Sequence, residues 1–552
     1  MCNDKENLNF IDRLVKIDLE EGVCKEIHTR FPPEPNGYLH IGSAYAINIS
    51  YSLAKKYNGK FNLRFDDTNP QKEDIEFVES IKDDMKWLGF DYEDRLFYGS
   101  DYGNEIYEYA IYLIKKGKAY VCDLSSDEIR EFRGTLTTKG KNSPYRERTI
   151  EENLDLFYKM KKGCFKEGER VLRAKIDMES PNMNMRDPVI YRISYTPHYK
   201  TKDQWCIYPM YDYAHPIQDY TEGISHSLCS AEFKDHRPLY EWVINELDLE
   251  KNKPRQIEFG RMNLSGVVTS KRYLKALVAN KTVDGWDDPR LPTIKGLRRR
   301  GYTRESIINF LGEIGVSKSE SVVDVAMLEH SLRQDLKGKA PSIMAVLDPI
   351  KVVVTNLQDD YIEYLDGDNN SENEEMGKRK IPFTKNLYIE REDFSENPPK
   401  KYNRLILNGE VRLKHGYFIK CNEVIKNENG IITELRCTYD PETKSGTGFT
   451  KRKVKGTIHW VSQEHGTPCD IRIFNSLFTE VPSSDNLFEV LNPNSIEIKN
   501  NAFVESAALD LGYEGRFQFI RHGYFIKDFK LSNDDKLVFN KIVALKSSYK
   551  GN

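Results

Sequence analysis

Hydrophobic and polar positions in the first hundred residues follow two periods in turn, and the switches between them predict a strand, a helix and a second strand. Residues 25–30 carry Ile27 and Thr29 in a strand-like alternation, after which Pro32, Pro33, Pro35 and Gly37 exclude a regular element until Leu39. From Ile41 onward, Ala44, Ile47, Tyr51 and Ala54 recur at spacings of three and four. That period predicts a helix buried along one face and ended by Asn58-Gly59. Residues 60–65, KFNLRF, alternate as a second strand. Together these form one βαβ unit, and its first turn lies at a helix N-terminus, where free N–H groups and the helix dipole favour phosphate.

Ile75, Val78, Ile81, Met85 and Leu88 predict a helix over residues 73–88, and similar patterns run over 106–116 and, in a short N-terminal extension, over 10–19. Residues 101–210 read as an insertion with charged helical stretches, a turn at 133–138 and a β-like segment at 170–176. Residues 205–213, WCIYPMYDY, read as a strand that resumes the first sheet and ends at Asp212 and Tyr213, with His215 just beyond. Its aromatic residues suit either a ligand pocket or ring packing in a core. Ile307, Phe310, Ile314, Leu328 and Leu332 give helical spacing over 306–335. From about residue 341 the pattern changes to strands at 350–355, 386–390, 403–412, 416–421, 431–439, 457–461 and 470–477, a regular spacing that indicates barrels or sandwiches. The acidic tract 366–375, DGDNNSENEE, lacks apolar residues and periodicity and is expected to be a mobile loop.

A chain of 552 residues corresponds to roughly three to four domains of about 150 residues each. No apolar run approaches the ~18 residues of a membrane span, and residues 1–10 lack an apolar signal core, so a cytoplasmic protein without membrane contact is expected. The nine cysteines are scattered, odd in number and never spaced Cys-x-x-Cys, which argues against a structural metal or a disulfide framework. A formal net charge of −4 argues against indiscriminate nucleic-acid binding but leaves room for a local basic groove. Residues 298–300, 378–380, 400–401 and 451–453 are basic clusters that suit phosphate contacts or solvated faces.

Two stretches carry candidate chemistry. His40 stands at the predicted helix start, followed by Gly42, which permits close backbone approach of a ligand. Taken alone, His40 equally suits a cap or a packing residue. Val267, Val268, Thr269, Ser270, Lys271 and Arg272 form a β-branched run closed by polar and cationic residues. A lysine there suits a point contact to phosphate oxygens that gain charge during reaction, or a solvated loop.

The two motifs together resemble the His-Ile-Gly-His and Lys-Met-Ser-Lys-Ser signatures of class I aminoacyl-tRNA synthetases. PEPNGYLHIG, LRFDDTNP, RGTLT, CIYPMYDYAHPIQD, ISHSLCSAEF and GWDDPRLPTIKGLRRRG are similar to the glutaminyl-tRNA synthetase family over nearly all of the chain. The resemblance implies an α/β Rossmann-type nucleotide-binding domain with an inserted acceptor-stem domain, a helical connector and two C-terminal β-barrels. By number these are an extension at 1–25, the catalytic domain at 26–100 plus 211–260, the insertion at 101–210 and the connector at 261–340. A proximal barrel at 341–396 plus 478–552 then holds a distal barrel at 397–477.

It further implies glutamine, ATP and tRNA(Gln) as partners, Mg2+ carried mainly on ATP oxygens rather than at a protein metal site, and a monomer. His40 and Lys271 are then the catalytic pair, with Glu34, Asn36, Gly42, Ser43, Arg261, Met262 and Ser270 beside them at ATP. Arg30 and Asp66 would hold the polar groups of the amino acid, Tyr211 and Gln256 read its amide, and His215, Cys229 and Phe233 line the pocket. Leu136 corresponds to an apolar wedge that props open the tRNA acceptor end, in place of a leucine folded into a local core. Asp235 joins it as a tRNA contact, and Lys318, Arg404, Gln518 and Arg521 fall on anticodon positions. Ser342 and Ile520 depart from the family pattern and are not carried over. So does Ser43, which replaces the second histidine of the first signature. A glutamyl-tRNA synthetase, and a tRNA-binding paralogue with adenylation impaired by Ser43, are the alternatives.

Overall fold

The protein is described by a computed structural model covering residues 8–71, 73–249, 253–483, 485–512 and 514–546. It divides into two compact units, one of residues 1–265, 269–275 and 311–323, the other of 266–268, 276–310 and 324–552.

In the first unit, α1 (Phe10–Glu20) is capped by the Asn9 side chain. The segment is no loose appendage: Ile11 and Val15 are buried, and Asp18 accepts a hydrogen bond from His226 and pairs with Arg255. Then β1 (His28–Phe31), α2 (Ile41–Lys56), β2 (Lys60–Phe65), α3 (Ile75–Leu88) and β3 (Leu96–Tyr98) follow, and the strands pair in parallel in the order β1-β2-β3. The βαβ unit expected from the hydrophobic pattern is present with the expected second strand.

The insertion comprises α4 (Gly103–Lys115), β4 (Ala119–Cys122), α5 (Ser126–Arg133), α6 (Ile150–Lys161), β5 (Val171–Ala174), β6 (Val189–Ile193) and β7 (Ile207–Pro209), with an antiparallel sheet in the order β4-β5-β6-β7. This corrects the expectation for residues 205–213. The strand is only three residues long and pairs with β6 of the insertion, not with the nucleotide-binding sheet. Tyr211 opens a helix, α7 (Tyr211–Thr221), so Asp212, Tyr213 and His215 sit on a helix rather than at a strand end. Alternating aromatic residues gave the strand period, but Pro209 ends it.

The chain returns with β8 (His226–Ser230), α8 (Arg237–Glu246) and β9 (Arg255–Phe259), the strands again parallel. The Ser225 N–H donates to the His28 carbonyl, and Arg30 donates to the Leu228 carbonyl, which sets β8 beside β1. The strand order is therefore β3-β2-β1-β8-β9, and the order reverses between β1 and β8, the crevice where open α/β sheets take their ligands. Next come β10 (Met262–Leu264), paired in parallel with Ser321–Val323, and α9, which begins at Lys271.

Asp219 of α7 braces this crevice. It is fully buried and accepts hydrogen bonds from Arg30 on β1, Arg64 on β2, Ser227 on β8 and Tyr240 on α8.

The second unit carries helices Ile294–Arg300 and Val325–Lys337 and two seven-stranded sheets. One sheet uses strands within 349–462, the other strands at 342–346 and within 466–543. In each, one broken segment supplies both edges: Ser342–Ile343 and Ala345–Val346 in one, Thr457–Ile458 and Trp460–Ser462 in the other. Each sheet thereby nearly closes into a barrel. The inserted barrel thus spans 349–462 rather than 397–477, because Pro349–Val354 and Asn386–Glu390 pair into it. Of the strand expected at 403–412, only Glu410–Leu413 forms.

The acidic tract is not a mobile loop. Residues Ile362–Asp368 form a strand paired with Lys378–Thr384, where Asp366 meets Lys380 and Asp368 meets Lys378. The amide of Asn370 caps the carbonyls of Lys337 and Ala340 at a helix end. Composition concealed this because the stabilising partners are cross-strand lysines and orphan helix carbonyls, not apolar neighbours.

Burial opposes ionisation of Asp219, but Arg30, His215 and Arg64 outweigh it and hold the carboxyl well below the usual carboxylate range. Its stabilising contribution is present above the unfolded value of about 3.9 and is lost as pH falls from there toward the depressed folded value. Asp219→Ala leaves Arg30 buried without a counter-charge and Arg64 with Glu222 alone, and is expected to cost about 3–5 kcal/mol. Urea denaturation at neutral pH measures the loss, and a change below about 1 kcal/mol would remove Asp219 as the brace.

Candidate active site

The proline-rich turn after β1 delivers the chain to the N-terminus of α2 with His40 as the cap. The His40 Nδ1 accepts from the Ser43 N–H at 3.2 Å, and the Ser43 Oγ accepts from the His40 N–H at 3.4 Å. This reciprocal pair closes the first turn. His40 is pushed down to about 3 by burial, then by Lys271 and Arg261, so the imidazole is neutral at working pH. With Nδ1 accepting, the proton resides on Nε2, which is left as a donor. A Cβ at Gly42 would lie 3.1 Å from the His40 ring and 3.6 Å from the Met262 carbonyl oxygen. Glycine therefore lets the imidazole fold against the helix start and lets β10 approach it.

Ser270 is exposed, and its carbonyl accepts from Leu274 in the first turn of α9. Lys271 begins that helix, and its Nζ donates to Asn36 Oδ1 at 2.8 Å. The Asn36 amide in turn donates to Glu34, and Arg261 pairs with Glu232. The two motifs, far apart in sequence, are thus joined at one helix N-terminus. Burial lowers the Lys271 pKa, with Glu34 opposing.

The second cluster lies at the crevice beside Asp219. Tyr211 stacks on His215 with ring centroids 4.9 Å apart and meets Phe233 at 5.4 Å. Burial first, and then Asp66, raises the Tyr211 pKa. Cys229 lies on β8, pushed up to about 12 by burial. Gln256 on β9 donates from Nε2 to the Phe233 carbonyl at 3.2 Å and to Glu258 Oε1 at 3.0 Å. Both amide hydrogens are consumed, which fixes the orientation of the group and leaves its oxygen as the free acceptor.

Arg30 differs from expectation. It is 1% exposed and its guanidinium serves Asp219, His215, Ser227 and the Leu228 carbonyl, so it supports the pocket from behind. His215, likewise buried, lies between Arg30 and Arg64, and its pKa is lowered first by burial. Asp66 is the opposite case. It is 4% exposed, neither carboxylate oxygen receives a hydrogen bond, and burial raises its pKa to about 7. Such a group lacks a cationic partner that a ligand ammonium would supply.

Leu136 is 82% exposed, which decides against a local core. Its turn is rigid: the Thr135 and Thr138 hydroxyls bond each other, and Arg186 donates to the carbonyls of Arg133, Thr135 and Thr138. Asp235 is exposed, and its carbonyl accepts from Asn182 and Asn184, close in sequence to Arg186. In the second unit Arg404 and Arg521 both pair with buried Asp393, and Gln518 accepts from Ser342. Ile520 packs on the inserted barrel's core. Lys318 belongs to the first unit, with its ammonium 5.0 Å from the Phe10 ring.

The sequence reading missed Arg64, Asp219, Ser227, Tyr240 and Glu258. A usable signal existed: Arg30 and Arg64 fall inside the two strands of the expected βαβ unit, and strands of a parallel sheet are buried on both faces, which demands a buried anion; His215 and Asp219 are spaced i, i+4.

The doubly wound sheet, with a capped histidine and a lysine meeting at its switch point, defines a nucleotide-binding α/β enzyme. A family model described as the catalytic domain of class I tRNA synthetases (E and Q) matches residues 26–338. Two models described as anti-codon binding domains of the same group match 340–440 and 457–528. The chain is 56% identical to a glutamine--tRNA ligase of Clostridium perfringens and 57% identical to one of Clostridioides difficile, each over 100% of both chains. It is 53% identical to one of Haemophilus influenzae over 98% of this chain and 97% of that protein. The chain belongs to the class I tRNA synthetases of the glutamate and glutamine group.

Ser43 is committed to the cap and so replaces a family histidine with a backbone contact. Losing one hydrogen bond to a charged acceptor costs roughly 1.5–3 kcal/mol, about ten- to a hundredfold in rate. Ser43→His is therefore expected to raise kcat for adenylate formation between a few-fold and about a hundredfold. Single-turnover adenylation measures it, and a slower variant would show that the capping bond outweighs the regained donor.

Proposed function

We infer that this chain ligates glutamine to tRNA(Gln) in two ATP-driven steps. The glutamine carboxylate attacks the α-phosphorus of ATP and pyrophosphate leaves, after which the aminoacyl group passes to the 2′-hydroxyl of the terminal ribose. The observation that carries this reading is the 2.8 Å bond between Lys271 and Asn36, which assembles the phosphate site from both motifs. No protein nucleophile is needed, so rate comes from positioning and from donors aimed at developing charge. Neutral His40 offers its Nε2–H and Lys271 a point charge, with Glu34, Asn36, Gly42, Ser43, Arg261, Met262 and Ser270 shaping the loop around them. Mg2+, carried mainly on ATP oxygens, would neutralise charge on the phosphates.

In the amino-acid pocket Asp66 accepts the substrate ammonium. Gln256, its hydrogens held by Glu258 and Phe233, accepts from the side-chain amide alongside Tyr211, and a glutamate carboxylate has no donor to offer there. His215, Cys229 and Phe233 complete the walls, with Arg30 behind. Leu136 and Asp235 meet the acceptor end, and Lys318, Arg404, Gln518 and Arg521 the anticodon. A monomeric cytoplasmic enzyme belongs to the same proposal, and light scattering in solution tests the monomer.

ATP–pyrophosphate exchange, run with cognate tRNA, tests the substrate. Glutamine should exceed glutamate about a hundredfold or more, and equal use of glutamate would sink the assignment. Because only ionised Asp66 binds an ammonium, the KM for glutamine should fall as pH rises from about 6 to about 8, with a midpoint near 7, and Asp66→Asn should abolish that dependence. A KM profile unchanged by Asp66→Asn would place the ammonium elsewhere. Lys271→Ala should slow adenylation with little change in glutamine affinity, whereas an effect confined to the KM for ATP would make it a ground-state contact.

A further inference from the structure

Arg521 lies in the turn between strands Arg516–Phe519 and Gly523–Lys527. Its φ is 71°, in the left-handed region that side chains other than glycine, asparagine and aspartate rarely enter. Three bonds hold the guanidinium there. Nη1 donates to Asp393 Oδ2 at 2.7 Å and to His459 Nδ1 at 3.3 Å, and Nη2 donates to Asp393 Oδ1 at 2.8 Å. Asp393 is 0% and His459 1% exposed, while the Arg521 side chain is 29% exposed.

Of the five guanidinium N–H groups, both on Nη1 and one on Nη2 are therefore consumed. The Nε–H and the second Nη2–H remain, side by side along one edge. Glu392 is 3.6 Å from Nη2, too long for a hydrogen bond.

His459 is also fixed. An arginine can only donate, so Nδ1 must accept and the imidazole proton sits on Nε2. That proton faces Glu390 Oε1 at 3.5 Å, and Glu390 is already bonded by His522 and by the backbone of Leu347 and Asp348. Glu390 thus anchors His522 by a hydrogen bond, while the His459 Nε2–H only approaches it. His522 packs edge-on against His459 with centroids 5.1 Å apart.

We propose that Asp393 and His459 are positioning residues that grip Arg521 end-on and so present its Nε–H and Nη2–H as a fixed fork for two acceptor atoms of one tRNA nucleotide. The shared chemistry is a pair of oxygens or an oxygen and a ring nitrogen, on a base edge or on a phosphate. The inference rests on the reading of Arg521 as an anticodon-side contact. It goes beyond that reading by naming what orients the guanidinium and which edge is free.

The test is aminoacylation kinetics with cognate tRNA and with tRNAs substituted at single anticodon nucleotides. Variants are Arg521→Ala, Asp393→Asn, His459→Leu and His459→Asn, the last of which keeps an acceptor near the place of Nδ1. The first three should lower kcat/KM for cognate tRNA by about tenfold or more, leave the KM for ATP and glutamine unchanged, and spare thermal stability in His459→Asn, which should retain near wild-type charging. A loss that shrinks on one substituted tRNA assigns the fork to a base edge. A loss equal on all tRNAs that steepens with salt assigns it to a phosphate. If His459→Asn falls as far as His459→Leu, or if Asp393→Asn charges normally, the positioning role is overturned. If Arg521→Ala alone charges normally, the anticodon-side reading of Arg521 itself fails.

Discussion

A single buried carboxylate, Asp219, holds together the strands and helices that form the amino-acid end of the crevice. Two guanidiniums from adjacent parallel strands, Arg30 and Arg64, both rest on it, and Glu222 gives Arg64 a second counter-charge. Buried ion pairs add little net stability, because desolvation offsets attraction. Their value here is geometric. With Ser227 and Tyr240 also bonded to it, Asp219 ties β1, β2, β8 and α8 to α7, and thereby sets where Tyr211 and His215 stand.

The same device recurs, and at Asp66 it is left incomplete. Asp393 fixes Arg521 and Arg404, and Glu505 fixes Arg379 while also accepting from the Met344 backbone. Asp66, equally buried, has no such partner. Among these four carboxylates, the three satisfied ones mark the frame and Asp66 marks a place for a ligand.

The nucleotide-binding half was legible because its signals are local: period changes, prolines in the turn and a capped helix start at His40. Helix ends at Asn58-Gly59 and at Leu88 follow the same logic. What escaped depended on distant pairing. The short strand at Ile207–Pro209 carries no mark of which sheet it joins, and barrel membership of Pro349–Val354 is decided by partners about forty and about eighty residues downstream. The tract at 366–375 misled because asparagines acting as caps look like disorder in composition. At the site, residue types were readable while their layers were not. Arg30 and Asp66 read alike as polar contacts, yet one is saturated and the other bare.

The broken segments that supply both edges of each barrel impose an order on synthesis. The inserted barrel is continuous in the chain and completes itself at Trp460–Ser462. The other has its first strands at 342–346 and must wait for the ends of the inserted barrel to be drawn together, since closing so long an unstructured loop would cost more entropy. Its two halves are then joined through Leu537–Val543, which pairs with Gly523–Lys527 on one side and Gly466–Phe474 on the other. Until that strand leaves the ribosome, the nascent chain carries two sheet fragments with open edges, and those edges are its window for mispairing with another chain.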